Sequence, residues 1–341
     1  MKTAVAIIGS GNSALENHIP AYLGIRETQV VAIADTDVER AQSLALKFGI
    51  KGVYDDYVAM LKRRRVELVS VCTAPSERKD AVVTALSRRA NVLCDMPMGM
   101  NAEQGNEMLE AAQKANRVLM FAAPRRYDPP AISIKQAIVN GDLGAVCFCR
   151  ARCGLKAIPA EDFWQIKAKE GGGALAVSGQ EMLDLAFWLT GDEPVSVSGQ
   201  LFNRFAESPD VPKTWFGSRR ELDAEDLAVA LVRCKKATVF LEADWLTPVD
   251  DSGILVVGTK GRAGTSPFKM EVATRGEFLD TTPTFFPETG AWNEVVRSFL
   301  EASQGHRKAF PEAKEVLTVQ RVTDAIRKSS LCGGEVCLGG M

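Results

Sequence analysis

The segment Gly9-Ser10-Gly11-Asn12-Ser13-Ala14 has GxGxxA spacing and stands between an apolar run at 3–8 and a helix-period stretch at 13–24. In that setting each small residue has a separate job. Gly9 permits a tight turn, and Gly11 lets the backbone approach a pyrophosphate. Ala14 lets helix and strand pack closely, while the helix N-terminus at Asn12 and Ser13 faces the phosphates. Asp35 closes the second apolar run, QVVAIA, where a carboxylate can accept both hydroxyls of a ribose. The same carboxylate repels a 2′-phosphate, and Arg40 in DTDVER lies five positions further on, so the charge pattern predicts NAD rather than NADP.

Further stretches carry groups that could do chemistry. Thr73-Ala74-Pro75 follows the apolar run at 67–73, and either borders the same crevice at the carboxyl ends of the strands or simply ends a strand. VLCDMPMG, residues 92–99, reads as a buried strand emptying into a proline-stiffened turn at Asp95-Met96-Pro97. Arg125 and Arg126 could hold a substrate carboxylate or phosphate bidentately, or make an interdomain salt bridge. Trp164 could stack on a sugar ring or fill a domain interface, and Trp215 stands in a long polar segment open to a ligand or a neighbouring subunit. Metal chemistry is not expected, because the chain has two histidines, His18 and His306, and eight cysteines without a CxxC pair. Reduced cysteines suit a cytoplasmic protein.

The elements that must position these groups follow from periodicity. Continuous apolar strands at 3–8, 29–34, 67–73, 91–94 and 117–122 alternate with helix-period segments at 13–24, 37–48, 55–64, 77–90 and 101–115. That alternation predicts an NAD-binding Rossmann domain over residues 1–123, a doubly wound parallel sheet covered on both faces. From residue 124 the pattern changes to longer strands at 145–154, 195–205, 226–234, 237–246 and 253–258, with helices at 129–139, 174–190, 291–303 and 312–328. Residues 124–341 are therefore expected to form an α+β domain for substrate binding and oligomerisation, with a large, mostly antiparallel sheet open on one face. The end, LCGGEVCLGGM, reads as a loosely held tail.

With 341 residues, 46% hydrophobic composition and a net charge of −2, the chain can fill two cores and shows neither a basic face for nucleic acid nor a polybasic tract for membranes. No segment approaches the roughly 18 apolar residues of a membrane span. A small-molecule substrate is the expected partner.

In this order, the GxGxxA turn, VCTAP, VLCDMP, PRRYDPP and GGGALAVSGQEMLDLAFWLTG resemble the Gfo/Idh/MocA oxidoreductases, the group of glucose-fructose oxidoreductase and inositol dehydrogenase. The likeness covers essentially the whole chain. It implies NAD-dependent oxidation or reduction at a hydroxyl or keto group of a sugar, cyclitol or related polar molecule. It also implies homodimers or homotetramers formed through the open sheet face, with the 226–246 hairpin as the candidate surface.

The resemblance further implies a catalytic set that this chain lacks. Where the family carries Glu-Lys-Pro in the turn beside the nicotinamide, this chain has Asp95-Met96-Pro97, and the resemblance implies that these three residues border the cofactor. In place of the family's aspartate and histidine after the triple glycine it has Val177 and Glu181, and the histidine of Pro-x-x-x-His is Lys79. A methionine has no titratable proton, so Met96 cannot take over the lysine's role. Glu181 and Lys79 are the ionisable groups left at matching positions, each readable as an acid/base group or as an ordinary helical surface charge. Three readings therefore stand side by side. One is a dehydrogenase with atypical acid/base residues. Another is an enzyme that uses bound NAD transiently for glycoside cleavage or reduces a conjugated substrate, as in biliverdin reductase. The third is an NAD-binding regulatory homologue without catalysis.

Overall fold

The computed structural model describes residues 2–156, 163–203, 222–245, 247, 249–284 and 290–339. Trp215 and the side chain of Trp164 fall outside the described residues. The chain packs as two units, Met1–Pro124 with Gly290–Leu317, and Arg125–Thr289 with Thr318–Met341. The expected division at 123/124 thus differs from the packing, because Gly290–Leu317 belongs with the first unit.

The first unit is built on a six-stranded parallel sheet in the order β3-β2-β1-β4-β5-β6. Its strands are β1 (Thr3–Ile8), β2 (Thr28–Ala34), β3 (Gly52–Tyr54), β4 (Leu68–Val71), β5 (Asn91–Cys94) and β6 (Leu119–Phe121). Strands buried on both faces need no polar alternation, and all four residues of β4 are buried. The helices are α1 (Ile19–Leu23, entered through a π-turn at Ala14–His18), α2 (Val38–Phe48), α3 (Tyr57–Arg63), α4 (Pro75–Ser87) and α5 (Ala102–Ala115). Local signals set their ends: Asp37, Asp56 and Asn101 accept backbone N–H bonds at the N-caps, and Gly49 closes α2 in the left-handed region. Strand β3 lies outside the expected elements, since three residues are too short to show a period.

The second unit opens with α6 (Pro129–Asn140) and carries strands β7 (Val146–Gly154), β8 (Pro194–Phe202), β9 (Leu227–Cys234), β10 (Thr238–Asp244), β11 (Asp251–Gly258), β12 (Gly261–Thr265), β13 (Phe268–Thr274) and β14 (Glu277–Asp280). Helix α7 spans Gln180–Thr190, behind a π-turn at Leu175–Gly179. Near the end of the chain, α8 (Ala291–Ser303) belongs to the first unit, α9 (Ala313–Cys332) follows it, and β15 is Val336–Cys337. The nine-stranded sheet runs β14-β13-β12-β11-β7-β10-β9-β8-β15 and is antiparallel except where β7 meets β10.

Register separates its two faces. Val197, Val232, Val239, Cys149, Val256, Ala263 and Met270 form one cross-strand row and are all buried. The adjacent row, Ser198, Leu231, Phe240, Arg150 and Leu255, is exposed or half-buried. The tail is more ordered than expected: β15 pairs with β8 through Val336 and Val197. Strands β12 to β14 escape the sequence reading because their outer residues are exposed and mixed, so no apolar run marks them.

Candidate active site

In the first unit, Gly9 leaves β1 with φ +96°, and a Cβ there would lie 2.7 Å from the Cys72 carbonyl oxygen. Side chains rarely adopt that backbone, so the turn requires glycine. Asp35 receives Ser10 N–H at 2.6 Å, Ser10 Oγ at 2.7 Å and Arg40 Nη2 at 3.2 Å on one oxygen, and Asp37 N–H at 2.8 Å on the other. Burial pushes this carboxyl up, but Ser10, the Asp37 N–H and Arg40 outweigh it and hold it below its usual range. Arg40 therefore reaches a position that its spacing in the sequence denies it, because the first turn of α2 folds its guanidinium back over Ser10 and Asp35. Thr73 Oγ1, just beyond the end of β4, is buried without a hydrogen-bond partner among the described residues. A glycine cradle, an acidic strand end and an orphaned hydroxyl together fit a dinucleotide.

The Asp95-Met96-Pro97 turn is held from beneath. The buried Arg78 guanidinium donates to Thr73 O at 2.8 Å, to Asp95 O at 3.3 Å and to Pro97 O, joining the two strand-end turns. Asp95 points inward: its Oδ1 lies 2.8 Å from His18 Nε2, His18 Nδ1 lies 3.1 Å from Ser70 Oγ, and Ser70 Oγ lies 2.9 Å from Tyr22 OH. One assignment of protons satisfies the series, with Tyr22 donating to Ser70, Ser70 to Nδ1 and Nε2–H to Asp95. Trp292 of α8 covers the imidazole, with ring centres 4.7 Å apart. Burial raises the Asp95 carboxyl, but His18, Arg78 and Ser13 outweigh it and hold it low. Expected as a cofactor contact on sequence grounds, the Asp95 side chain instead braces the turn.

His18, Cys72 and Asp95 bring three potential metal-ligand atoms within 4.8 Å of one another. Both imidazole nitrogens are already hydrogen-bonded, so the group reads as a polar core rather than an open coordination site. Met96, half-buried, packs against the first unit's apolar core.

In the second unit, the two arginines of PRRYDPP each meet an acid of α7. Arg126 is buried and bonds Asp184 bidentately at 2.7 and 2.8 Å, which takes it out of the role of a substrate clamp. Arg125 Nε donates to Glu181 Oε2 at 3.0 Å, with about one third of each side chain exposed. Burial alone would lower the Arg125 cation's pKa, and Glu181 with its neighbours raises it instead. Val177, where the family's aspartate would stand, packs against an apolar cluster around Trp245. Lys79, in the first unit, has Asp80 at 3.0 Å and Glu107 at 3.5 Å. Asp80 and then Glu107 keep its ammonium charged.

His18 and Arg78, which brace the two strand-end turns, are residues that the sequence reading does not single out as site residues. For Arg78 one signal exists, its place one position before Lys79 on a helix that must bury a face, since a charge turned inward there needs partners. No helix among the described residues is long and apolar enough to cross a membrane.

Comparison with known proteins agrees with the fold of both units. Residues 3–123 match the model of an oxidoreductase family with an NAD-binding Rossmann fold, and residues 132–264 match the GFO/IDH/MocA C-terminal domain. D-glucoside 3-dehydrogenase of Escherichia coli K12 is 26% identical over 97% of this chain and 96% of its own. Mouse trans-1,2-dihydrobenzene-1,2-diol dehydrogenase is 32% identical over 51% of this chain and 53% of its own, so the match spans about half of that relative. Among solved structures, levoglucosan dehydrogenase in complex with NADH and L-sorbose superposes with a TM-score of 0.86 over 100% of both chains at 19% identity. Aldose-aldose oxidoreductase from Caulobacter crescentus gives 0.83 at 21% identity, over 99% of this chain and 100% of its own. The two family models follow one another through both units, and the chain belongs to the Gfo/Idh/MocA family of NAD-binding oxidoreductases.

Proposed function

We propose that the chain oxidises or reduces a ring carbon of a sugar, glycoside or cyclitol between its hydroxyl and keto forms, with NAD(H) as the redox partner. The observation that carries this reading is the likeness to D-glucoside 3-dehydrogenase, which runs through both units rather than through the nucleotide fold alone. Bound NAD supplies the hydride acceptor. The chain's own tasks are to orient the cofactor and to handle the hydroxyl proton.

For orientation, the Gly9 turn, Ser10, Asp35 and Thr73-Ala74-Pro75 are the proposed contacts, together with the turn that Arg78 holds. For the proton, Met96 offers nothing. The ion pairs of Lys79 keep that amine protonated and make it a poor base. The Arg125–Glu181 pair, about one third exposed, is the proposed polar group for substrate and proton.

A panel of sugars, glycosides, cyclitols and their keto forms, followed by NADH absorbance, tests the reading. Turnover of at least one member is expected, with kcat reduced about tenfold or more in Glu181→Gln. Unchanged turnover in that variant removes Glu181 from the site. Tight NADH binding with no turnover across the panel favours the binding-only reading.

A second copy of the chain is the proposed occupant of the open sheet face, where Leu231 is 42% exposed beside Phe240. Light scattering should give the mass of a dimer or tetramer, and Leu231→Glu should move it toward the monomer. A monomeric wild type would contradict this. Eight cysteines free of disulfides support a cytoplasmic setting.

A further inference from the structure

We propose that the second unit carries a binding site for a small anionic molecule, a carboxylate or a phosphate ester, in a cavity on the open face of its sheet. This goes beyond the reaction proposed above and does not depend on it. The cavity, of about 410 Å³, lies over β7, β11, β12 and β13 and falls in the size range of small-molecule pockets. Strand register builds it. Arg150 stands opposite Leu255, Leu255 opposite Gly264, and Gly264 opposite Lys269, so the four share one face and one cross-strand row. Cations occupy both ends of the row, and its middle holds a leucine and a position without a side chain.

Gly264 opens the space. A glycine inside a strand weakens it, and its usual reasons are crowding or the close approach of a ligand or another backbone. Crowding accounts for nearby glycines: a Cβ at Gly253 would lie 2.6 Å from Ser266 Cβ, and one at Gly261 would lie 2.6 Å from the Glu271 carbonyl oxygen. At Gly264 the nearest atom would be Ile254 O at 3.4 Å, an ordinary contact, and the backbone there is not left-handed. Neither packing nor conformation demands glycine at 264. Its effect is to leave the floor of the cavity bare.

The walls are cationic, with Arg150, Arg152, Arg262 and Lys269 set against Asp251 and Glu271. Glu271 is shared by Arg262 and by Lys269 at 2.7 Å, so one negative charge serves two positive ones. Arg152 takes Asp251 at 2.6 Å and has Glu242 at 3.5 Å. Arg150 is exposed, and its side chain makes no hydrogen bond or ion pair among the described residues. An uncommitted guanidinium beside a bare floor offers two parallel N–H donors to a carboxylate or phosphate, and Leu255 offers apolar contact to the carbon atoms that such a group is attached to. A second copy of the chain is the rival occupant, because Arg150 is the register partner of Phe240. In an isologous contact both copies present the same patch, and a row with cations at both ends is not complementary to another such row. A small anion therefore suits the cavity better.

The test is a calorimetric titration with citrate or with inorganic pyrophosphate at constant ionic strength, using protein saturated with NADH so that the Gly9 turn is already occupied. Saturable binding of at least one probe is expected, citrate reporting a carboxylate site and pyrophosphate a phosphate site. Arg150→Met should weaken that binding about tenfold or more. Gly264→Val should abolish it without lowering the thermal unfolding midpoint, since a β-branched residue suits a strand.

Absence of binding by both probes overturns the proposal, as does binding undiminished by either substitution. If Gly264→Val changes the mass seen by light scattering and leaves anion binding intact, the bare floor serves a contact between copies and the proposal falls. Should Gly264→Val fail to fold, Arg150→Met, at an exposed position, decides.

Discussion

Replacing Arg78 with methionine is expected to destabilise the first unit by about 3–5 kcal/mol, because one buried guanidinium satisfies three backbone carbonyls and faces the Asp95 carboxylate. Methionine matches much of the arginine stem, so the loss comes chiefly from polarity rather than volume. Three oxygens accustomed to a cation would lose it in a place where water does not reach. Arg78→Lys keeps the charge but cannot span the same acceptors with a planar fork, and should recover only part of the loss. Urea denaturation followed by circular dichroism measures both. Weaker NADH binding should accompany the instability in Arg78→Met, since the carbonyls belong to the two turns proposed to border the cofactor. Loss of less than about 1 kcal/mol would show that those turns are held by their own packing.

The second large effect concerns cofactor choice. Asp35→Ser should shift the NADP-to-NAD preference by about a hundredfold or more, roughly 3 kcal/mol, toward NADP. Asp35 sits with Ser10 and Arg40 in one hydrogen-bonded group. In the native chain the carboxylate neutralises Arg40 and opposes a 2′-phosphate. Once it is gone, the Arg40 guanidinium, the Ser10 hydroxyl and the hydroxyl introduced by the substitution form a donor set suited to a phosphate. KM values for the two cofactors against one substrate provide the measure. Equal losses for both cofactors would mean that Arg40 does not follow the charge. The expectation that Arg40 is too distant to matter is thus reversed: spacing along a helix start understates the reach of a long side chain that folds back.

Much of the dinucleotide-binding fold was legible in the residues themselves. Gly9 reads as an obligatory glycine because strand, turn and helix signals surround it, and Asp35 reads as the ribose end because it closes an apolar run. These are local properties. Met96 was equally legible as a departure, and its packing against the apolar core explains how the turn tolerates a thioether where the family carries a cation. The sheet of the second unit was legible where alternation is regular, as in β9 and β10, and illegible in β12 to β14, where exposed polar and apolar residues mix.

The functional assignments divide differently. Glu181 and Lys79 look alike in the sequence, as ionisable residues on helices at positions the family uses. Packing separates them: Lys79 meets Asp80 and Glu107, whereas Glu181 meets Arg125. Arg125 and Arg126 are likewise one motif until α7 gives each a different acid at a different depth.

Residue order alone was enough for the alternation of strands and helices, the dinucleotide turn, the acidic strand end and the lack of the family's catalytic lysine, aspartate and histidine. The first three rest on periodicity or on the identity of neighbours a few residues apart, and the last on the resemblance to the family. Which charge meets which emerged only with packing: His18 with Asp95, Arg78 with the Thr73 and Asp95 turns, Arg126 with Asp184. Pairs such as His18–Asp95 and Arg126–Asp184 are 77 and 58 residues apart in sequence. Their pairing is fixed by how strands and helices stack, and no local pattern encodes it.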